Sequence, residues 1–198
     1  MKNNAKKSFE LIASECKRGQ ESAYFCISIV IMRIVAEVYL ILKNASTGKW
    51  YEIAKYPNTI EAFGKCGWAE YTAEGKGVKV KNVHIINGKE YYIEGSAVPA
   101  GEPKIGKIFH KLTYGGETRE NLFNVLATDN KNYIIGYYCK YDEDKKGHQD
   151  FVWVLSKSKV LTGDVKTAVE NYLVGSPVVD SQKLVYSDFS EEACKVSK

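Results

Sequence analysis

From residue 48 onward, apolar and polar residues alternate in runs of about eight to eleven, separated by turn-forming residues. Such alternation is typical of half-buried β-strands. It predicts eight strands, over residues 48–57, 65–74, 77–86, 89–98, 104–114, 119–128, 132–141 and 147–157. The breakers include Asn87-Gly88, the preferred pair for a two-residue type I′ hairpin turn. Because short connections make successive strands antiparallel, we expect an all-β, eight-stranded up-and-down barrel that can hold one small ligand.

The first predicted strand begins at Gly48-Lys49-Trp50, where a large ring follows a glycine by two positions. Strict alternation along this strand predicts two opposite faces. One face would carry Trp50, Glu52, Ala54 and Tyr56, and the other Tyr51, Ile53 and Lys55.

After the eighth strand the hydrophobic period changes to that of a helix. Apolar residues recur at the spacing of one helical face, namely Val165, Ala168, Val169, Tyr172 and Leu173. Asp164 or Thr162 could cap the start, and Gly175 followed by Pro177 should end the helix. A single apolar stripe predicts that this helix packs against the outside of the barrel, and residues 183–186 could form a further short strand.

Residues 1–46 do not share this pattern, so we divide the chain into an atypical leader, 1–46, and a barrel domain, 47–198. A 19-residue apolar run, Tyr24 to Leu42, is interrupted by Arg33 and Glu37. It could be an amphipathic helix, an unpacked segment, a signal anchor or a cleaved signal, and it would reach a membrane only as an anchor. Asn44-Ala45-Ser46 is a glycosylation sequon that could be used only on the secretory path.

The composition of the chain bears on three further questions: nucleic-acid binding, metal binding and disulfide formation. The chain has 198 residues, enough for one domain with a sizeable core, and its formal charge of +4 is spread without a dense basic block. Nucleic-acid binding is therefore not indicated. The five cysteines form no C-x-x-C pair, so no metal site is predicted, and their scatter suits long-range disulfides in an oxidising compartment.

Residues 48–198 carry a set of specific motifs, namely Gly48-Lys49-Trp50, Tyr56-Pro57-Asn58, Gly64-Lys65-Cys66, Trp68-Ala69-Glu70-Tyr71, Thr128-Asp129 and the stretches 111–116, 132–146 and 160–194. With these motifs the chain resembles the lipocalin family, in particular its insect bilin-binding subgroup with the related insecticyanins and apolipoprotein D. Gly48-Lys49-Trp50 matches the first lipocalin motif and Thr128-Asp129 the second, and the other stretches are typical of the subgroup. Two departures stand out. Lys157 occupies the place of the third motif's arginine, which packs over the motif tryptophan, and the family's usual N-terminal segment has no recognisable counterpart in residues 1–46.

The resemblance implies a ligand site inside the barrel, near its open end. The implied ligand-binding residues are Asn58, Asn82, His84, Ile93, Leu112, Tyr114, Tyr138, Lys140, Gln149, Phe151 and Trp153. The segment from Asn58 to Glu61 would form part of the loop over the mouth. Lys140, and by a weaker argument Lys111, could meet acidic groups of the ligand. His110 and His148 are expected on the surface.

The resemblance also implies a Cys66–Cys194 disulfide. The usual partner of Cys139 has no counterpart here, so Cys139 would pair with Cys26 or Cys16, or remain unpaired. Since Tyr138 and Lys140 would face inward, Cys139 should point outward and could not serve as a catalytic thiol in the barrel.

The implied function is a non-enzymatic, secreted carrier of a biliverdin-type linear tetrapyrrole, present in the haemolymph and able to form homo-oligomers. The alternative ligands within the same class are retinoids, pheromones and fatty-acid-like molecules. A membrane-tethered interaction module is a separate alternative that depends on residues 24–42 alone.

Overall fold

A computed structural model describes residues 47–58, 61, 64–100, 106–114, 116–143 and 146–197, except for the side chains of Tyr114 and Asp142. The predictions for residues 1–46, including the apolar run, the sequon, Cys16 and Cys26, lie outside the described residues. The described strands are β1 (Gly48–Lys55), β2 (Lys65–Glu74), β3 (Gly77–Ile86), β4 (Lys89–Pro99), β5 (Lys107–Tyr114), β6 (Glu117–Thr128), β7 (Tyr133–Asp142), β8 (Gly147–Ser156) and the short β9 (Val185–Tyr186). A helix, α1 (Gly163–Gly175), and a 3₁₀ turn (Ser181–Lys183) lie between β8 and β9.

Strands β1 to β8 form a closed antiparallel barrel. Each strand pairs with the next along the chain, and β1 closes the ring by pairing with both β8 and β2. The predicted barrel is therefore confirmed, with strand bounds correct to within about three residues. Asn87 and Gly88 both have positive φ, 51° and 72°, which is the backbone that the predicted β3–β4 hairpin turn requires.

The floor of the barrel is an apolar cluster around Trp50, which is fully buried. Val78, Val80, Ile108 and Leu155 pack in the same cluster. Because these side chains fill the end of the barrel where β1 begins, any guest must occupy the other end, towards the β3–β4, β5–β6 and β7–β8 hairpins.

Helix α1 covers the outside of the barrel, as predicted. Val169 and Leu173 are buried against a second apolar cluster that includes Ile135, Val152 and Val154 of the barrel wall. Of the two predicted capping residues, Thr162 holds the N-cap position, although its side chain makes no capping hydrogen bond. Asp164 lies instead within the first turn, where its negative charge suits the positive end of the helix dipole.

The turn between β6 and β7 is held by Asp129 of the second motif. Its Oδ1 accepts hydrogen bonds from the backbone N–H groups of Lys131, Asn132 and Tyr133 at 3.0, 2.7 and 3.1 Å. Partial burial opposes ionisation of Asp129, but these hydrogen bonds outweigh it and lower the pKa of the carboxyl. The motif is therefore a structural clamp on the floor side of the barrel.

A disulfide joins Cys66 to Cys194, with 5.2 Å between the Cα atoms and a sequence separation of 128. The predicted pairing is confirmed, and it ties the start of β2 to the C-terminal tail. Cys139 is also disulfide-bonded and is therefore not an unpaired thiol. Its side chain packs in the outer cluster with α1, as expected for a residue pointing away from the interior.

Within the described ranges, no helix is long and apolar enough to span a membrane. The apolar run at 24–42 lies outside those ranges.

Candidate functional site

A cavity of about 370 Å³ occupies the barrel above its apolar floor. Ten residues that the sequence singled out line it together: Asn58, Asn82, His84, Ile93, Leu112, Tyr138, Lys140, Gln149, Phe151 and Trp153. The side chain of Tyr114 lies outside the described part of the structure. The volume and the mixture of apolar and hydrogen-bonding groups are those of a small-molecule site.

Ten further residues line the cavity that the sequence argument did not assign to it. They are Glu52, Glu61, Trp68, Ala69, Tyr71, His110, Arg119, Asn121, Phe123 and Leu155. Alternation with the assigned positions could have found His110, which precedes Leu112 by two residues on β5. The same rule links Asn121 and Phe123 on β6.

One wall of the cavity is a continuous series of aromatic rings. Phe151 stacks between Tyr138 and Trp153, with ring centres 5.4 and 5.9 Å away, and Trp153 lies 5.7 Å from Phe123. His110 continues the series by stacking on Phe123 at 5.0 Å, with planes only 4° apart. These flat faces could pack against an extended conjugated ring system.

The prediction that His110 lies on the surface was wrong. The imidazole lines the cavity, and burial lowers its pKa from 6.5 to about 4. His110 is therefore neutral near pH 7 and serves as a polar ring of the aromatic wall. His148, in contrast, has a side chain that is 40% exposed and lies 3.6 Å from Asp150, in agreement with its expected surface position.

A β-bulge in β1 changes which side chains face the cavity. The pairing with β8 shifts register between Glu52 and Ala54. Because of this extra residue, the side chains after it lie on the opposite faces from those that strict alternation predicts. Ala54 and Tyr56 pack outward in the cluster with α1, whereas Lys55 points inward with Glu52. The strict alternation predicted for this strand was therefore wrong after Glu52.

The bulge creates a buried polar cluster of four residues: Glu52, Lys55, Glu61 and His84. Lys55 Nζ lies 2.8 Å from Glu52 Oε1, 3.3 Å from Glu61 Oε2 and 3.4 Å from His84 Nε2. His84 Nε2 lies 3.3 Å from both carboxylate oxygens of Glu52. Because buried charges are costly unless they are paired, the burial of each of these side chains depends on its contacts with the others.

Charge balance keeps Glu52 ionised. Burial alone would raise its pKa, but its hydrogen bond and charge interaction with His84, together with the charge of Lys55, outweigh burial and lower the pKa. One ligand atom each from Glu52, Glu61 and His84 lies within 4.8 Å of the others, a spacing that could suit a metal ion. The ammonium of Lys55 contacts all three of these side chains and supplies one positive charge.

Space for the cluster comes from Gly67, at the irregular start of β2. A Cβ at this position would lie 2.7 Å from His84 Nε2 and 2.9 Å from Glu52 Oε1. Any larger residue would push these two side chains apart. The glycine thus allows His84 and Glu52 to meet.

Glu61 attaches the loop over the mouth to the barrel wall. Its Oε2 accepts hydrogen bonds from Asn58 Nδ2 at 2.9 Å and from Trp153 Nε1 at 3.3 Å, in addition to the ion pair with Lys55. Asn58 Oδ1 in turn accepts from the backbone N–H of Glu61 at 2.9 Å. The loop, the aromatic wall and the polar cluster therefore share one carboxylate.

Two cationic side chains line the cavity from other strands, β6 and β7. Arg119 and Lys140 lie near the ends of these strands at the mouth, and Arg119 pairs with Glu117 at 3.1 Å. Lys111 does not line the cavity. It is exposed and pairs with Glu120 at 3.2 Å, so its suggested contact with a ligand is not supported.

The fold and its interior cavity define a small-molecule binding protein with a closed antiparallel barrel. The Lipocalin / cytosolic fatty-acid binding protein family model matches residues 47–191, and the chain belongs to this family. It is 81% identical over 150 residues to the bilin-binding protein of Pieris brassicae. This match covers 76% of this chain and 79% of that protein. Apolipoprotein D of Macaca fascicularis is 30% identical, covering 76% and 77% of the two chains.

Among solved structures, insecticyanin from the tobacco hornworm Manduca sexta superposes with a TM-score of 0.71 at 43% sequence identity. The match covers 77% of this chain and 83% of insecticyanin. The predicted family and fold are thereby confirmed. The relatives and the family identify the chain as a lipocalin carrier and not an enzyme, and the outward, disulfide-bonded Cys139 agrees with this.

Proposed function

We propose that this lipocalin binds a linear tetrapyrrole of the biliverdin type inside the barrel and carries it as a secreted, non-catalytic pigment protein. The observation that carries the proposal is the 81% identity, over 150 residues, to a protein named for bilin binding. The cavity agrees chemically, because a tetrapyrrole presents extended π-faces, pyrrole N–H donors and two propionates.

Each of these ligand features has a matching set of side chains. The rings of Tyr138, Phe151 and Trp153 offer flat apolar faces. Glu61, Asn82 and Gln149 offer hydrogen-bonding groups along the cavity. Arg119 and Lys140 near the mouth could meet the propionates while these remain close to solvent.

Reconstitution tests the proposal. The purified protein is mixed with biliverdin, and its visible absorption, induced circular dichroism and tryptophan fluorescence are followed. We expect stoichiometric uptake, a strong induced dichroism and quenching of fluorescence, since Trp153 lines the cavity. Absence of uptake, together with quenching by retinol or a fatty acid, would replace the bilin by one of the alternative ligands.

A further inference from the structure

We infer that the cavity binds the pigment in its protonated, cationic form, with the carboxylates of Glu52 and Glu61 as its counter-charge. The inference rests on the proposed function and specifies the ionic form of its ligand. A bilin contains one imine-type nitrogen in its conjugated system, which can take a proton from water and become positively charged. The charges that line the cavity decide whether that proton stays.

The first observation is a surplus of negative charge in the buried cluster. Two carboxylates, Glu52 and Glu61, share one ammonium, that of Lys55. Their side chains are only 6% and 12% exposed, so water screens the surplus poorly. Within the described residues, no second lysine or arginine pairs with either carboxylate, so a positively charged guest would offset the surplus.

The second observation is the direction in which the carboxylates face. Glu52, Glu61 and His84 all line the cavity, whereas Lys55 pairs with both carboxylates without lining it. A guest in the cavity therefore meets the acidic side of the cluster. An opposite charge within about 4–6 Å favours the charged form of a titratable group.

The third observation is the distribution of charge around the barrel. The acidic cluster lies on β1, β3 and the mouth loop, while Arg119 and Lys140 lie on other strands, β6 and β7. Among the described side chains, the other titratable groups that face the cavity are His110, which is neutral near pH 7, and the phenols of Tyr71 and Tyr138, whose pKa values burial raises. A guest with a cationic conjugated core and anionic propionates matches this layout.

The test compares the pH titration of free biliverdin with that of biliverdin bound to the wild-type protein, followed by the long-wavelength band that strengthens on protonation. We expect the bound pigment to hold its proton to higher pH, with proton affinity raised at least about tenfold. Identical titrations of free and bound pigment would overturn the inference and leave the proposed function intact. Failure of the wild-type protein to take up pigment would overturn both.

Two isosteric variants identify the counter-charge. Glu61→Gln and Glu52→Gln should each weaken proton binding by the bound pigment about tenfold, because each removes one negative charge from the cavity wall. Glu170→Gln is the matched control, since Glu170 is an exposed residue of α1 paired only with Lys166 at 3.8 Å. If both cavity variants titrate like the wild type, the assignment of these carboxylates is wrong. If a variant does not fold, the comparison of free with bound pigment still decides the ionic form.

Discussion

Lys157 Nζ lies 4.2 Å from the centre of the Trp50 ring and donates a hydrogen bond to the backbone carbonyl of Thr47 at 2.7 Å. The lysine therefore takes the position over the motif tryptophan that the family resemblance gives to an arginine. Partial burial lowers the pKa of Lys157. The contact covers the floor of the barrel from outside and links the end of β8 to the residue before β1.

We predict that Lys157→Met lowers the free energy of unfolding by about 1 kcal/mol, because the cation–π contact and the hydrogen bond are lost. Lys157→Arg should raise it by about 0.5 kcal/mol, since a planar guanidinium can stack on the ring. Urea denaturation followed by tryptophan fluorescence measures both. Lys76→Met, in the exposed β2–β3 turn, is the control and should have almost no effect. Equal stability of Lys157→Met and the wild type would contradict the assigned role.

The aromatic wall and the polar cluster make separate contributions to pigment affinity. Trp153→Ala should weaken biliverdin binding about tenfold or more, because it removes a stacking face and a donor to Glu61. His84→Ala should also weaken binding, since Glu52 loses its partner on β3. Fluorescence titration gives the affinities, and circular dichroism should show an intact barrel. His148→Ala, at an exposed position, should bind like the wild type, and unchanged affinity in both cavity variants would remove the site assignment.

The lowered pKa of His110 predicts a pH dependence of stability. The unfolded chain binds a proton on this histidine below about pH 6.5, whereas the folded protein does not until about pH 4. Protonation thus favours the unfolded state, and this contribution to stability falls as the pH drops from 6.5 to 4 and is constant below. His110→Phe keeps a ring against Phe123 and should flatten the curve in that window. Denaturation at a series of pH values measures this, and parallel curves for the two proteins would refute it.

The Cys66–Cys194 disulfide closes a loop of 128 residues in sequence separation. On the chain-entropy model such a loop stabilises the fold by about 5 kcal/mol. The double variant Cys66→Ala/Cys194→Ala should lose several kcal/mol of unfolding free energy and keep the barrel topology, because the strand pairing does not depend on the tail. Denaturant unfolding of oxidised protein is the measurement. A loss below about 1 kcal/mol would show that the tail is held by its other contacts.

The sequence predicted the barrel well because each strand repeats one local signal, and turn pairs such as Asn87-Gly88 fix the register between neighbours. Through the resemblance it assigned ten of the twenty residues that line the cavity. It did not predict that Lys55 faces inward, because the alternation of apolar and polar residues along β1 does not reveal a one-residue bulge. It placed His110 on the surface although Leu112, two residues later on the same strand, was assigned to the cavity. Alternation along β5 puts both side chains on one face, and the structure places both in the cavity wall.

The bulge at Ile53 has a practical consequence for protein engineering. It makes the two halves of β1 independent, so that positions 52 and 55 can be diversified while Ala54 and Tyr56 keep their contacts behind the wall. Randomising Glu52, Lys55 and Glu61 together would exchange one complete charge set for another. A library built on these three codons could yield receptors for neutral or anionic dyes on an unchanged scaffold.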